Sequence, residues 1–481
     1  TYFVADKEDW VIENEASGAG FNYIFVEDGA QDFNTLTGGD ATLQVVLQGE
    51  TYGTERNDIL FGNPLRDTIY GFGGDDTIYG MAGNDSLLGG ADDDWIEGGK
   101  GGDTLLGDIG DDTLIGDTDS NSLVGGDGND SLISNGLGID TLEGGGGNDT
   151  LFVGAAFKSS IDGGANTDWL RFYGENISLN NADLKNIEAV DFSLIDHAAM
   201  TLGGNSTGLT TILGGIGGDS ITVTEAFGNR SITLEGGAGN DRFAFSAIDQ
   251  MVAASIRGGE GDDALVFSSA GTQIFDANLD ALQYSEIEAI ELSGTGNKLI
   301  AGANAEAAGI ATIVGGTDND TIDASGYGTG ITIDVSRNRV VEGDANTEAT
   351  VSGGAGGDRI IFSNHNVLGA SQVEGNGGID TLAFAENGIA ITDDKFVGNV
   401  SNMEVLQTAD GTNYIQIGAN AKSANLESIV GGTGSDTIDA SEFEGGISLD
   451  VGGGDDSVIV YNADSIADNT LVGGDGTDTL A

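Results

Sequence analysis

From Gly53 to Ile133 an aliphatic residue returns every nine positions without a gap: Leu60, Ile69, Ile78, Leu87, Ile96, Leu105, Leu114, Leu123 and Leu132. Two residues before each stands an acid or an amide: Asp58, Asp67, Asp76, Asp85, Asp94, Asp103, Asp112, Asn121 and Asp130. Neither an α-helix nor an ordinary hairpin has a period of nine. A coil of parallel β-structure has one, if each nonapeptide is a tight glycine turn followed by a short strand and two nonapeptides close each rung. The pattern predicts an all-β chain, a parallel β-roll or β-solenoid with the aliphatic ladder inside and the seventh and ninth positions pointing outward.

The turns supply the chemistry. Glycines at positions one, two and four, as in GGKGGDTLL (Gly98 to Leu106) and GGDGNDSLI (Gly125 to Ile133), permit positive φ and leave main-chain carbonyls uncovered. A hard cation such as Ca²⁺ takes about six to eight oxygens, which such carbonyls and the sixth-position carboxylates of neighbouring turns can provide together. Asp76, Asp94 and Asp112 then stack on one edge of the coil, and Asp67, Asp85 and Asp103 on the other.

These residues follow the pattern GGxGxDxUx, and on them the chain resembles the RTX (repeats-in-toxin) family over nearly its whole length. The resemblance implies a right-handed parallel β-roll with multiple Ca²⁺ ions between successive loops, type I secretion, and assembly outside the cell, where calcium is plentiful. It assigns calcium to Asp76, Asp85, Asp94, Asp103, Asp112, Asp130, Asp149 and Asp168, and further along to Asp219, Asp241, Asp263, Asp320, Asp358, Asp380, Asp436, Asp456 and Asp478. The loops before Asp58 and Asp67 lack the glycines and carry Arg56 and Arg66, and Asn121 is uncharged, so calcium is not expected there.

Three stretches are expected: residues 1–52, a β segment continuing from an upstream repeat; 53–171, the nonapeptide roll; and 172–481, a wider solenoid. Long copies begin at Gly163, Gly258 and Gly375, and Gly473 opens a fourth. Each contains LKNIEAVDF, YSEIEAIEL or VSNMEVLQT, and then a second glycine motif. The middle copy exceeds the last by 117 − 98 = 19 residues, close to one rung. Aspartates 20 to 22 apart suggest wider rungs here. The super-repeat resembles lattice-forming portions of Gram-negative S-layer proteins and the shafts of large RTX adhesins. The pattern runs into both ends, which suggests a piece of something longer.

Composition narrows the partners. With 79 acidic against 16 basic residues, a net charge of −63 argues against nucleic acid or an anionic membrane and for cations. Without calcium the chain is expected to be disordered. No cysteine is present, so metal rather than disulfide must do the stapling. No apolar run is long enough to span a membrane, and the start does not read as a signal peptide.

Catalytic motifs are weak. GNSTG, with Ser206 at its centre, fits G-x-S-x-G, yet glycine-rich chains produce such matches by chance, and neither His197 nor His365 has a hydrolase context. DTDSNS at Asp117 begins like an EF-hand loop but has Ser122 where glycine is needed. No enzymatic activity is expected. Outward ninth positions place Tyr70, Leu88, Leu106 and Val124 on one face as an apolar stripe, either ordinary surface or a docking face for another copy. The reading is an extracellular, calcium-dependent structural protein of the bacterial cell surface, a self-assembling S-layer segment or similar. Cell-surface polysaccharide is a further candidate partner, bound through parts outside this chain. The alternatives are an RTX adhesin shaft and a calcium-binding appendage of an exported enzyme or toxin.

Overall fold

A computed structural model describes residues 50–481 apart from 136–137, 155–159, 175–176, 181–183, 204–207, 225–230, 318, 338–348 and 462–469, together with the backbone of the strands Tyr2–Val4, Asn22–Val26 and Leu43–Val46. Strands pair in parallel with the rung before and the rung after, so the fold is an all-parallel β-solenoid. The chain forms two compact units, Thr1–Ile221 with Arg230–Gly237, and Thr222–Asn229 with Ala238–Ala481.

In the first unit successive nonapeptides alternate between two facing sheets. One stacks Ile59–Phe61, Thr77–Tyr79, Trp95–Glu97, Thr113–Ile115 and Ser131–Ser134; the other stacks Thr68–Gly73, Ser86–Ala91, Thr104–Ile109 and Ser122–Asp127. The register step is two nonapeptides, with Leu105 opposite Leu87 and Leu123. A period of nine returns the same side chain to the same face only on every second turn, and for that reason the ladder splits into two. All nine eighth-position residues from Leu60 to Leu132 are fully buried, each worth about 1.5 to 3 kcal/mol of apolar transfer. Beyond Ile133 the step lengthens by one, Leu123 pairing with Leu142 and Leu132 with Leu151.

The second unit has wider rungs. Arg242 pairs with Ala264 and Ala289 with Thr312, steps four and five positions longer than in the roll. One sheet holds five strands between Gly258 and Gly375 (Ala264–Phe267, Ala289–Leu292, Thr312–Val314, Thr332–Asp334, Arg359–Phe362) and five between Gly375 and Gly473 (Thr381–Phe384, Val405–Gln407, Ser428–Val430, Ser448–Asp450, Thr470–Val472). The longer copy therefore has no additional strand in this sheet. Short helices sit at some corners, among them Ala303–Ala308 and Ala419–Ser423. Both are anchored alike: Asp276 Oδ1 accepts the Gly302 and Ala305 N–H groups at 2.7 and 3.1 Å, and Asp393 Oδ1 those of Gly418 and Ala421 at 2.7 and 2.9 Å.

Candidate metal centres

The sixth-position aspartates are drawn inside by main-chain hydrogen bonds. Each Oδ1 accepts the backbone N–H of the aspartate one rung earlier: Asp76 from Asp58 at 2.7 Å, Asp94 from Asp76 and Asp112 from Asp94 at 2.8 Å, Asp130 from Asp112 at 2.9 Å, then Asp149 from Asp130 and Asp168 from Asp149 at 2.8 Å. On the opposite edge the chain of acceptors is Asp85, Asp103, Asn121 and Asp140. These side chains are at most 4% exposed.

The second carboxylate oxygen divides the loops into two kinds. In one kind it accepts the N–H four residues back in its own loop, which closes the turn. Asp58 Oδ2 takes Thr54 N–H and hydroxyl at 2.7 and 2.8 Å, Asp67 takes Asn63 N–H at 2.6 Å, Asp320 takes Gly316 at 2.6 Å and Asp436 takes Gly432 at 3.3 Å; Asp219 and Asp358 are capped by Gly215 and Gly354. In the other kind Oδ2 is buried and meets no donor, as at Asp76, Asp85, Asp94, Asp103, Asp112, Asp130, Asp149, Asp168, Asp263, Asp380 and Asp456.

Backbone conformation accounts for the difference. Open loops hold their second and fourth residues at positive φ, for example Gly90 at 126° with Asp92 at 77°, and Gly452 at 90° with Gly454 at 135°, whereas the second residues of the closed loops are not left-handed. The left-handed turn carries the second-position N–H away from the carboxylate. Met81, at φ 78° and 45% exposed, bears this strain without glycine. Met81→Gly is expected to stabilise the calcium-loaded roll by about 1 kcal/mol, seen as a rise in urea midpoint with unchanged slope.

An unpaired buried carboxylate oxygen costs about 1 to 3 kcal/mol or more, and the titration of these groups reflects it. Burial, ahead of every other influence, pushes Asp94 up to about 8, Asp76 and Asp130 to about 7, and Asp103, Asp112, Asp168 and Asp380 to about 6. Asp85, Asp149 and Asp263 move the same way for the same reason. A divalent cation against Oδ2 would remove the penalty. The first-position glycine leaves room for one: a Cβ built on Gly71 would overlap both Asp76 Oδ2 and the Gly89 carbonyl of the next rung, and one on Gly107 would overlap Asp112 Oδ2 and the Gly125 carbonyl. Among the described residues no three acidic or imidazole side chains converge, so main-chain carbonyls must supply much of the shell. Oxygen-only, carbonyl-rich donors suit Ca²⁺.

The model of the RTX calcium-binding nonapeptide repeat matches residues 52–87, 70–105, 79–114, 106–136, 136–157, 307–326, 427–442 and 465–481. The chain carries RTX calcium-binding repeats. RTX repeats bind calcium in their β-roll loops, so this chain binds several Ca²⁺ ions, and RTX proteins are generally secreted. None of the curated proteins matches the chain. Among the described residues no helix is long and apolar enough to cross a membrane.

Within this RTX framework the residues named from sequence fall into distinct settings. The open loops carry the residues that would hold Ca²⁺, through the donor-free carboxylate oxygen and the carbonyls around it. Asp219, Asp320, Asp358 and Asp436 have Oδ2 engaged by their own loop, like Asp58 and Asp67. Asp241 gives its N–H to Asp263 Oδ1 at 2.7 Å, and Asp478 Oδ1 takes the Asp456 N–H at 3.2 Å. Asn121 Nδ2 donates to the Asp119 carbonyl at 3.1 Å, a polarised N–H where neighbouring loops have an oxygen. Asp117 Oδ1 accepts the Asp119 N–H at 2.7 Å, a local turn of the nonapeptide frame. Ser206 lies outside the described residues; His197 Nδ1 lies 3.1 Å from the Gly218 carbonyl, and His365 opens a short helix. Sequence reasoning passed over Asp140, Glu188, Glu288 and Glu404, all of which accept main-chain N–H groups in these columns. The glutamates could have been found from the one acid common to LKNIEAV, YSEIEAI and VSNMEVL.

Proposed function

We propose that the chain is a calcium-folded structural segment that assembles with copies of itself outside the cell, as part of an S-layer or comparable bacterial surface assembly, and performs no catalytic step. The observation that carries the reading is the outward ladder. Tyr70, Leu88, Leu106 and Val124 stand in register on consecutive rungs of one sheet and are all half-buried. Tyr52 and Phe72, both about half exposed, stack against Tyr70 with ring centroids 5.2 and 6.2 Å away and widen the patch. Identical chains that display the same apolar strip pair symmetrically or propagate as sheets and filaments. Calcium would act by building this surface.

Replacing Leu88 and Leu106 with lysine is expected to leave calcium-induced β-structure intact and to abolish most of the growth in light scattering and the ordered arrays seen by electron microscopy. Wild-type chain that stays monomeric at high concentration in saturating calcium would overturn the proposal in favour of an adhesin shaft or an appendage to an exported enzyme or toxin.

A further inference from the structure

The open loops end alike in three places. The N–H groups of Asp168, Asp263 and Asp380 are received not by another aspartate but by Oε2 of Glu188, Glu288 and Glu404, at 2.9, 2.8 and 2.8 Å. Strand register shows what the glutamates replace. Asp162 pairs with Lys185 and Trp169 with Ala189, so the loop from Gly163 to Asp168 is matched one rung later by only Asn186, Ile187 and Glu188. The same substitution sets Glu286, Ile287 and Glu288 over Gly258 to Asp263, and Asn402, Met403 and Glu404 over Gly375 to Asp380.

In each short turn the first residue is left-handed, Asn186 at 50°, Glu286 at 56° and Asn402 at 52°. Its carbonyl oxygen lies against the first glycine of the loop below, where a Cβ on Gly163, Gly258 or Gly375 would overlap it. The first-position carbonyl of the next glycine loop occupies that place in the regular stack, as Gly163 does over Gly144. The middle residue, Ile187, Ile287 or Met403, is buried in the core. The third carries its carboxylate to where a sixth-position aspartate would reach; a turn three residues shorter needs the extra methylene. Facing each short turn is a fully buried aspartate, Asp168, Asp263 or Asp380, whose Oδ2 has no donor.

We propose that Glu188, Glu288 and Glu404 are terminal calcium ligands: with the left-handed carbonyl of its own turn, each completes the shell of the last ion in its stack, which the donor-free oxygen of Asp168, Asp263 or Asp380 faces from below. The short turn has no glycine loop to offer to a further ion, so it both finishes the last site and stops the stack.

Calcium uptake by the full chain, measured by isothermal titration and equilibrium dialysis with calcium alone, tests this with Glu188→Gln and Glu404→Gln, singly and together. Glutamine keeps an oxygen for the aspartate N–H and removes only the charge that a cation needs. The expected result is about one fewer tightly bound ion per substituted glutamate, while circular dichroism in calcium keeps its β signal. Glu386→Gln, which alters an acid hydrogen-bonded to Asn364 away from the stacks, is expected to bind as wild type. Unchanged ion count and affinity in both glutamine variants would overturn the proposal and leave the glutamates as hydrogen-bond caps only. Glu188 and Glu404 belong to different units, so a variant that failed to fold would leave the other to decide. A wild-type chain that took up no calcium would remove the family reading as well.

Discussion

In a chelator at pH 8 the chain is expected to lose its β signal almost completely, and to regain it at millimolar calcium. A net charge of −63 and columns of buried carboxylates repel themselves when no cation lies between them. Each site held at about a hundred times its dissociation constant adds about 2.7 kcal/mol, so several ions together rival the about 5 to 15 kcal/mol that usually holds a domain. Acid should partly replace calcium, and the sign follows from the direction of the shifts. Asp76, Asp94 and Asp130 are raised from 3.8 to about 7, 8 and 7 in the metal-free fold. Their contribution to the stability of that fold is fully present below pH 3.8 and is lost as pH rises through 7 to 8. Metal-free chain titrated from pH 8 toward 4 should therefore gain β-structure, and calcium added near pH 7 should release protons, measurable in weakly buffered solution. Equal β-content with and without calcium at pH 8 would refute both expectations.

Asp103→Ala should be far more damaging than Asp67→Ala. Removing the Asp103 side chain leaves the buried Asp85 N–H, now 2.8 Å from its Oδ1, without an acceptor, and it deletes a donor-free oxygen suited to calcium. The two losses amount to about 1.5 to 3 kcal/mol for the charged hydrogen bond and about 2.7 kcal/mol for an ion. Asp67 also receives local donors, Asn63 N–H at 2.6 Å and the Asn63 amide at 2.5 Å, and its loss should cost about 1.5 to 3 kcal/mol. Urea midpoints in saturating calcium, with ion counts beside them, should show a loss of calcium only for Asp103→Ala. The reverse order would mean that the open and closed loops have been assigned the wrong way round.

The roll was legible because its period is strict: a buried Leu or Ile at the eighth place of every nonapeptide leaves only one coil that hides them all. The aspartate columns were legible for the same reason, since a rung of fixed length stacks each sixth position on the next. Loop state was not. GGAGGD, Gly353 to Asp358, has every glycine of the motif and is closed, whereas GNGGID, Gly375 to Asp380, lacks the second glycine and is open, with Asn376 at φ 73°. The difference lies in the rung beneath. Gly354 rests on Tyr327, in a turn that has no motif, while the loop of Asn376 rests on Gly354, where Gly377 N–H meets its carbonyl at 3.1 Å. A left-handed loop stacks on an earlier loop of the nonapeptide frame, as those of Asp76 and Asp85 do on the loops of Asp58 and Asp67, and a local reading of one nonapeptide does not contain its neighbour. The corner helices were hidden similarly, because ANAEAA and ANAKS become helices through Asp276 and Asp393, a rung away in sequence.

Parallel sheets ordinarily fold slowly, because joining distant strands demands large loop closures before any contact is gained. Here strand partners stand two nonapeptides apart in the roll, as Leu87 and Leu105 do, and little more than three apart at Thr321 and Thr350. Against the length of the whole chain these separations are small, so the relative contact order is no higher than in helical bundles. Each new rung needs only the one already laid down, and once cations are supplied the coil can zip forward from any completed turn.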